Sequence, residues 1–456
     1  MLHRLTLALL LVAFVLPTAA LPDDPGAIRF LPDAEEDAVV GARASRELLT
    51  WQLPDGVLTV DRRIGGSAPE RGRELAPRYD GGEYFLVGDR PGARHDHDAV
   101  DLAAFGHVHL RSGDRAVVEV APASLHAFLE AGLCVQYLDR SSLAPAPARA
   151  LAPVAGRPGV ATAVRTTRDV DPAVKAAYLD ALDQQQYDQV LREITGDLAF
   201  WHEGGPHVVD TRYYSTFGND LVTEYLAQIL ASWGYQVELD TFTAWGATCR
   251  NVVATLPGAT VPEESVVVGG HFDSTSPDAS DLAPGAEDNA SGTSLVMELA
   301  RVSAGRQFDR SVQFVLFDAE EIGLRGSQHF VDEAVAEGRD IVAAITADMV
   351  SYFDRSYGVI IEGQTDWEWL MTAMADNVTA HTDIMHEKTY HSWGSDHVPF
   401  QQAGIAAFLA IDMDWSEYPH YHQTSDTWDQ IADTAHLGLE IARPAAGTLA
   451  DVAGRR

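Results

Sequence analysis

Lysine is almost absent from this chain of 456 residues, in which Lys175 and Lys388 are the only two. Asp and Glu together number 67 against 32 Lys and Arg, so the formal net charge is −35. A surface this acidic repels the phosphates of nucleic acids and of anionic lipids. We therefore expect no nucleic-acid partner.

Long apolar runs are also scarce. The apolar stretch Leu5–Val15 is shorter than the roughly 20 residues that span a bilayer, and the small residues Pro17–Ala20 follow it. A basic start, a short apolar core and a small-residue end are typical of a signal peptide, which we predict at residues 1–20. The expected product is secreted or periplasmic, without stable membrane insertion after signal cleavage.

Cysteine is too rare for a disulfide-rich scaffold, since the chain has only Cys134 and Cys249. One disulfide between them and two buried thiols are both compatible with an oxidising compartment. The hydrophobic content of 46% excludes disorder for most of the chain, and the length suggests more than one domain.

A Pro- and Ala-rich stretch at residues 144–165 predicts a linker between two domains. Before it, residues 21–143 are predicted to contain a strand at Ala116–Ala121, a helix-like stretch at Pro122–Ala131 and a second strand at Cys134–Leu138. We expect a smaller N-terminal α+β domain there, either an accessory or a propeptide-like unit. Residues 166–456 form the expected catalytic domain.

Strand and helix patterns alternate in the second domain. Apolar strands are predicted at Ser265–Gly270, Val312–Phe317, Ile341–Ala347 and Ile405–Ile411, with helices between them. Continuous Val- and Ile-rich strands are typical of sheets that are buried on both faces. The pattern predicts an α/β fold with a largely parallel central sheet sandwiched by helices.

Three of these strands run directly into residues of types that are able to bind metals, namely His271, the segment Asp318–Glu321 and Asp348. Ligands in α/β sheets bind at the carboxyl ends of strands. The acidic loop around Asp288 and the His-rich segment ending at His422 supply further candidates. Each acid alone would be an ordinary surface carboxylate, but their joint order predicts a metal centre.

Charge balance favours two zinc ions. Their four positive charges are matched by one bridging Asp, one further Asp, one Glu and a hydroxide, with two neutral His residues completing the ligands. Glu320 and Glu321 are neighbours, so one can bind metal while the other stays free as a general base. Asp273 follows His271 by two residues and is expected to hydrogen-bond its second ring nitrogen, and Asp426 is expected to do the same for His422.

Several motifs resemble one known family. They are Gly269–Ser274, Pro284–Gly292, Phe317–Ser327 and Tyr421–Thr427, with Arg212–Tyr214 and Gly394–Phe400 in support. Together they resemble the secreted bacterial leucyl aminopeptidases, which are co-catalytic di-zinc exopeptidases with a mixed sheet.

The resemblance assigns a role to each matching position. It implies that Asp288 bridges both metals, that His271 and Asp348 complete one zinc site, and that Glu321 and His422 complete the other. Glu320 is the implied general base. Relatives often have an oxyanion-stabilising Tyr before the Ser-Asp-His run, whereas this chain offers Tyr390, His391 or Ser392.

The expected function is hydrolysis of N-terminal residues from peptide substrates by a di-zinc-activated hydroxide. An apolar preference is expected because Met349 and the aromatic stretch Trp415–Tyr421 are able to line a pocket, although ordinary core packing explains them equally well. Two alternatives are a glutaminyl cyclase-like enzyme with a single zinc and a non-catalytic binding ectodomain. Retention of all five ligands and of Glu320 argues against both.

Overall fold

A computed structural model describes residues 27–32, 48–53, 56–61, 73–74, 83–87, 101–112, 115–129, 133, 135–138, 167–390 and 394–456. The predicted signal peptide at residues 1–20 and the predicted linker at residues 144–165 lie outside these ranges, as do Cys134, His391 and Ser392. Cys249 is a buried free thiol. Among the described residues, no helix combines the length and the apolar character that a membrane crossing requires.

The N-terminal part contains two small sheets. The first has strands in the order β2-β3-β1-β4 and the second in the order β6-β7-β5-β8. The bounds are β1 Ala27–Pro32, β2 Leu48–Leu53, β3 Gly56–Asp61, β4 Arg73–Glu74, β5 Glu83–Val87, β6 Gly106–Ser112, β7 Arg115–Val120 and β8 Val135–Tyr137. Within the predicted helix at Pro122–Ala131, the structure describes a 3-10 turn at Pro122–Ser124 and then α1 Leu125–Leu129, so the described residues of this part are mainly β.

The predicted central sheet has eight strands in the order β11-β12-β14-β13-β15-β18-β16-β17, and a separate hairpin joins β9 to β10. Strands β14, β13, β15 and β18 are adjacent and parallel, and β11 and β12 pair antiparallel. β16 pairs antiparallel with β18 and parallel with β17. The bounds are β9 Phe200–His202, β10 Gly205–His207, β11 Gln236–Ala244, β12 Ala247–Leu256, β13 Val261–His271, β14 Arg310–Phe317, β15 Asp340–Ala347, β16 Gly358–Glu362, β17 Met385–Thr389 and β18 Ala406–Asp412. The expected mixed, largely parallel sheet is confirmed.

Helices cover both faces of this sheet. Their bounds are α2 Pro172–Leu179, α3 Gln184–Ile194, α4 Phe217–Ser232, α5 Gly292–Ser303, α6 Arg325–Glu337, α7 Glu368–His381, α8 His397–Gln402, α9 Trp428–Ile431 and α10 His436–Ala453. Successive valines of β13 explain why the strands are apolar throughout. Val266 and Val268 join one core cluster, while Val267 faces a second cluster that contains Phe330 of α6 and Phe400 of α8.

Candidate metal centre

Three neighbouring parallel strands end at one edge of the sheet, and each leads into a predicted metal ligand. β13 ends at His271, whose register partner on β14 is Phe317, three residues before Glu320. On the other side of β13, β15 leads directly into Asp348. Parallel pairing therefore brings these side chains together.

Asp288 reaches the same edge from an irregular turn before α5. The segment Ala286–Ser291 is wound as one π-type turn, with Asp288 and its neighbour in non-helical backbone geometry. The side chain of Asn289 fixes this turn against β15, because its Nδ2 donates to the carbonyl of Ala347 at 3.0 Å and its Oδ1 accepts from the amide of Met349 at 3.2 Å. The turn and the Asp348 segment thus hold each other in place.

The five predicted ligands form two triads that share Asp288. His271 Nε2 lies 3.4 Å from Asp288 Oδ1 and 3.6 Å from Asp348 Oδ1. His422 Nε2 lies 3.1 Å from Asp288 Oδ2 and 3.1 Å from Glu321 Oε2. Ligand atoms bound tetrahedrally to zinc at about 2.0–2.2 Å are separated by roughly 3.3–3.6 Å, and the four distances from the two imidazole nitrogens to the carboxylate oxygens are close to this spacing.

Burying three neighbouring carboxylates costs free energy unless cations balance their charge. All five side chains are at most 6% exposed. Oε1 of Glu321 has no hydrogen-bond partner among the described residues, and a buried carboxylate oxygen without a donor is expected at a metal site. The residues and their spacing therefore fit the binding of divalent cations.

The pKa values of the proposed ligands are also shifted in the way that a metal site predicts. Burial, and then the charge of Asp288, raise the pKa of Glu321 to about 7. Burial opposes ionisation of His271 and His422, yet the surrounding carboxylates outweigh it and raise the pKa of both imidazoles well above the usual value. Protons on these groups therefore offset the negative charge of the carboxylates, which bound cations would otherwise balance.

Glu320 lies beside the triads. Its carboxylate belongs to a group with His271 and Asp348 in which the potential ligand atoms are within 4.8 Å of one another. Burial raises the pKa of Glu320 well above the usual value, and the charge of Glu321 adds to this effect while His271 counteracts it. An acid–base group of this kind is suited to proton transfer.

Asp273 contributes more than the sequence predicted. His271 Nδ1 is 3.5 Å from Asp273 Oδ1 and has a closer contact, 3.1 Å, with the backbone carbonyl of Asp273. The Asp273 carboxylate accepts hydrogen bonds from the backbone amides of Glu320 at 3.0 Å and Glu321 at 3.2 Å. Asp273 therefore holds the backbone of both glutamates as well as facing the His271 ring.

Asp426 accepts hydrogen bonds from groups other than the predicted ring of His422. Its carboxylate accepts from the amides of Glu287 at 2.9 Å and Asp288 at 3.1 Å, and from the hydroxyl of Tyr418 at 2.6 Å. These donors occupy both oxygens of Asp426. Asp426 therefore orients the shared ligand Asp288 through the backbone amide of Asp288.

Two further buried residues belong to this site but were not assigned a role from the sequence. The guanidinium of Arg212 is fully buried and donates to the carbonyls of Ile194, Phe272, Pro284 and Gly285. Burial lowers its pKa to about 10, so it stays charged at neutral pH beside the acidic ligands. Asp396 is also fully buried, and burial raises its pKa to about 7. Both lie in motifs that supported the family resemblance.

The pocket above the ligands has about 310 Å³ of space, open solvent at its mouth included. Its lining residues are Val135, Asp288, Glu320, Glu321, Asp348, Met349, Gly394, Tyr421 and His422. The Tyr421 ring stacks on His422 with centroids 3.9 Å apart. Trp415 and Tyr418 of the predicted aromatic pocket belong to the core instead.

Tyr390 does not reach this pocket. It is 45% exposed, and its hydroxyl donates to Glu368 at 2.8 Å. Of the three residues considered for the oxyanion, Tyr390 is therefore engaged elsewhere.

Known proteins resemble this chain in sequence and fold. Residues 251–439 match Peptidase family M28, so the resemblance drawn from the motifs is confirmed. Aminopeptidase YwaD of Bacillus subtilis is 32% identical, over 43% of this chain and 43% of that protein. Leucine aminopeptidase 1 of Fusarium vanettenii is 32% identical, over 51% of this chain and 65% of that protein. The chain spans about half the length of these curated relatives.

A solved structure supports the fold over a longer range. The LapA aminopeptidase of Legionella pneumophila aligns with a TM-score of 0.60 and 18% identity, over 81% of this chain and 98% of that chain. The arrangement of a mixed sheet between helices is therefore shared.

Proposed function

We propose that this chain, on the evidence of its Peptidase family M28 region and its metal centre, is a zinc aminopeptidase that removes N-terminal residues from peptides. The observation that carries the proposal is the pair of buried triads, His271 with Asp348 and His422 with Glu321, that share the two oxygens of Asp288. The curated relatives that are named as aminopeptidases support the reaction class.

Two zinc ions fit the charge of the site. Each triad would hold one ion, and three ligand carboxylates with two neutral imidazoles offset most of the four positive charges. When bound, zinc supplies a Lewis acid that lowers the pKa of water to about 7 and polarises a carbonyl.

Glu320 is the proposed general base. Its carboxylate lies within 4.8 Å of the potential ligand atoms of His271 and Asp348, is buried, and has a raised pKa. It accepts a proton from the attacking water and delivers that proton to the departing amine. Asp273 positions it by accepting the backbone amide of Glu320.

The pocket supports a preference for apolar first residues. Met349 and the ring of Tyr421 provide apolar surface next to the acidic ligands.

The alternative functions predict fewer ligands. A cyclase of the single-zinc type would not need both triads, and a binding ectodomain would need neither Glu320 nor a shared Asp288. All five ligands and Glu320 are present and converge in this chain.

The decisive test compares the parent protein with Glu320→Gln, a variant of nearly the same shape. We expect about two zinc ions per chain in both, and a loss of leucyl-amide hydrolysis of about 100- to 10,000-fold in the variant. Glutamyl- and glutaminyl-amide substrates are assayed in parallel. Glu238→Gln, on the exposed face of β11, is the matched control and should retain full activity.

The outcomes separate the three functions. A parent protein that binds no metal and hydrolyses no amide would support the binding ectodomain. A single zinc with ring closure of the glutaminyl substrate would support the cyclase.

We also propose export through cleavage after Ala20, on the basis of the apolar run at Leu5–Val15. Expression with the native start in a secreting host should yield mature protein that begins at Leu21, as read by N-terminal sequencing. Retention of Met1 on the exported or membrane-bound protein would contradict this proposal.

A further inference from the structure

The N-terminal β sheet reaches the active-site pocket. Val135, on the edge strand β8, lines the pocket together with Glu320, Glu321 and Met349, and is only 6% exposed. The other lining residues come from the part of the chain that carries the metal ligands. One wall of the pocket is therefore built by a strand outside the family-matched region, which begins at residue 251.

The contact behind this wall is closely packed. The ring of Tyr137 lies 4.5 Å from that of Trp245, edge to face, and the guanidinium of Arg325 lies 4.6 Å above Tyr137. A Cβ on Gly323, whose φ is +107°, would lie 2.6 Å from the backbone nitrogen of Tyr137. Backbone touches backbone here, so β8 has little freedom to move away from the loop after β14.

That loop carries the proposed base. Ala319 and Ile322, which flank Glu320 and Glu321, belong to the same buried apolar cluster as Val135. Burial of such a shared apolar cluster favours the contact between the sheet and the loop. The N-terminal sheet is thus an integral wall of the site rather than a loosely attached cover.

We propose that Val135 is a specificity-determining residue that limits the size of the apolar side chain accepted beside the scissile bond. Val135 is the lining residue from the N-terminal sheet in a pocket that is also lined by four carboxylates, the His422 imidazole, Met349, Gly394 and Tyr421. Removing its two methyl groups enlarges the pocket, and a larger side chain fills it. This inference rests on the proposed aminopeptidase function.

The test uses the full chain with Val135→Ala and Val135→Phe. We measure kcat/KM on alanyl-, leucyl- and phenylalanyl-amides and expect the ratio of phenylalanyl to alanyl activity to rise on the order of 10-fold in Val135→Ala and to fall comparably in Val135→Phe. The matched control is Val120→Ala, a buried valine of β7 in the same cluster that does not line the pocket. It should leave this ratio unchanged even if it lowers stability.

A binding measurement separates this inference from the proposed reaction. Calorimetry with the alanine, leucine and phenylalanine hydroxamates, which bind zinc without turnover, should show the same reversal of size preference. Size selection of hydroxamates by Val135 without any amide hydrolysis would overturn the proposed reaction and leave the inference standing. Ratios that change less than twofold in both Val135 variants, or hydroxamates that fail to bind the zinc-loaded chain, would overturn the inference.

Discussion

At the scale of single residues, the geometry of the candidate metal centre depends on Asp426, a carboxylate that is not one of the five proposed ligands. Asp426 accepts the amides of Glu287 and Asp288 and the hydroxyl of Tyr418. In Asp426→Asn an NH₂ group replaces one carboxylate oxygen and faces the amide of either Glu287 or Asp288, so the turn that carries Asp288 loses one backbone hydrogen bond. We expect zinc affinity to fall about 10- to 100-fold, as is usual when a residue that orients a ligand is lost, measured by competition with a chromophoric chelator.

The matched control for that prediction is Tyr418→Phe. It removes the hydroxyl donor from the same carboxylate but keeps both backbone hydrogen bonds, so zinc affinity should change much less. Equal zinc affinity in Asp426→Asn and the parent would mean that Asp288 is held by other contacts.

At the scale of elements, β13, β15 and the start of α5 meet backbone to backbone beneath the ligands. A Cβ on Gly292 would lie 2.3 Å from Asn289 Oδ1 and 2.5 Å from the carbonyl of Ala347. Gly292→Ala should therefore reduce the free energy of unfolding by about 1–3 kcal/mol, as measured by urea denaturation. It should also weaken zinc binding, because Asn289 connects the Asp288 turn to the Asp348 segment.

Gly205→Ala is the control for this substitution. A Cβ on Gly205 meets only the His207 ring, at 3.9 Å, which is ordinary van der Waals contact. We expect its unfolding free energy to stay within about 0.5 kcal/mol of the parent. A Gly292→Ala variant as stable as Gly205→Ala would show that the α5 start moves freely away from β15.

Arg212 connects elements that are distant in sequence. Its guanidinium donates to the carbonyl of Ile194 at the end of α3, to Phe272 after β13 and to Gly285 before the Asp288 turn. Arg212→Lys keeps the charge but loses the planar set of donors, and should cost about 2–4 kcal/mol of unfolding free energy. The exposed pair of Arg192 and Asp197 offers a comparison, since Arg192→Lys should cost less than about 1 kcal/mol in the same urea experiment.

The sequence predicted the elements that depend on local pattern. The runs that end at His271 and Ala347 are apolar because both faces of β13 and β15 are covered, and such runs are visible without a structure. The strands β11, β12 and β16 were not predicted, although the alternation in β11 and the short apolar run in β16 are both patterns that strands show. The partners of Asp426 depend on contacts across 138 residues that no local spacing encodes. The place of Val135 in the pocket likewise depends on contacts between distant parts of the chain.

At the scale of the whole molecule, stability without metal should fall as pH rises. Burial raises the pKa of Glu321 and Asp396 to about 7 and that of Asp318 to about 8. Carboxyls with raised pKa values bind more protons in the folded state than in the unfolded state between about pH 4 and 8, so their contribution is present at low pH and is lost through this range. The raised pKa values of His271 and His422 act in the same direction, whereas the lowered pKa of Asp288 acts only below about pH 4.

Zinc should oppose this fall in stability with rising pH, because it binds the deprotonated ligands and its affinity therefore rises with pH. The difference in Tm between zinc-loaded and chelated protein, measured by calorimetry, should therefore widen from pH 5.5 to pH 8. The net charge of −35 also destabilises the fold at high pH through repulsion between exposed carboxylates, but salt screens that repulsion and affects the buried cluster little. The widening should thus persist in 0.5 M salt, at which the Debye length is only about 4 Å. A chelated protein that is as stable at pH 8 as at pH 5.5 in that salt would mean that the buried carboxylates have partners other than zinc.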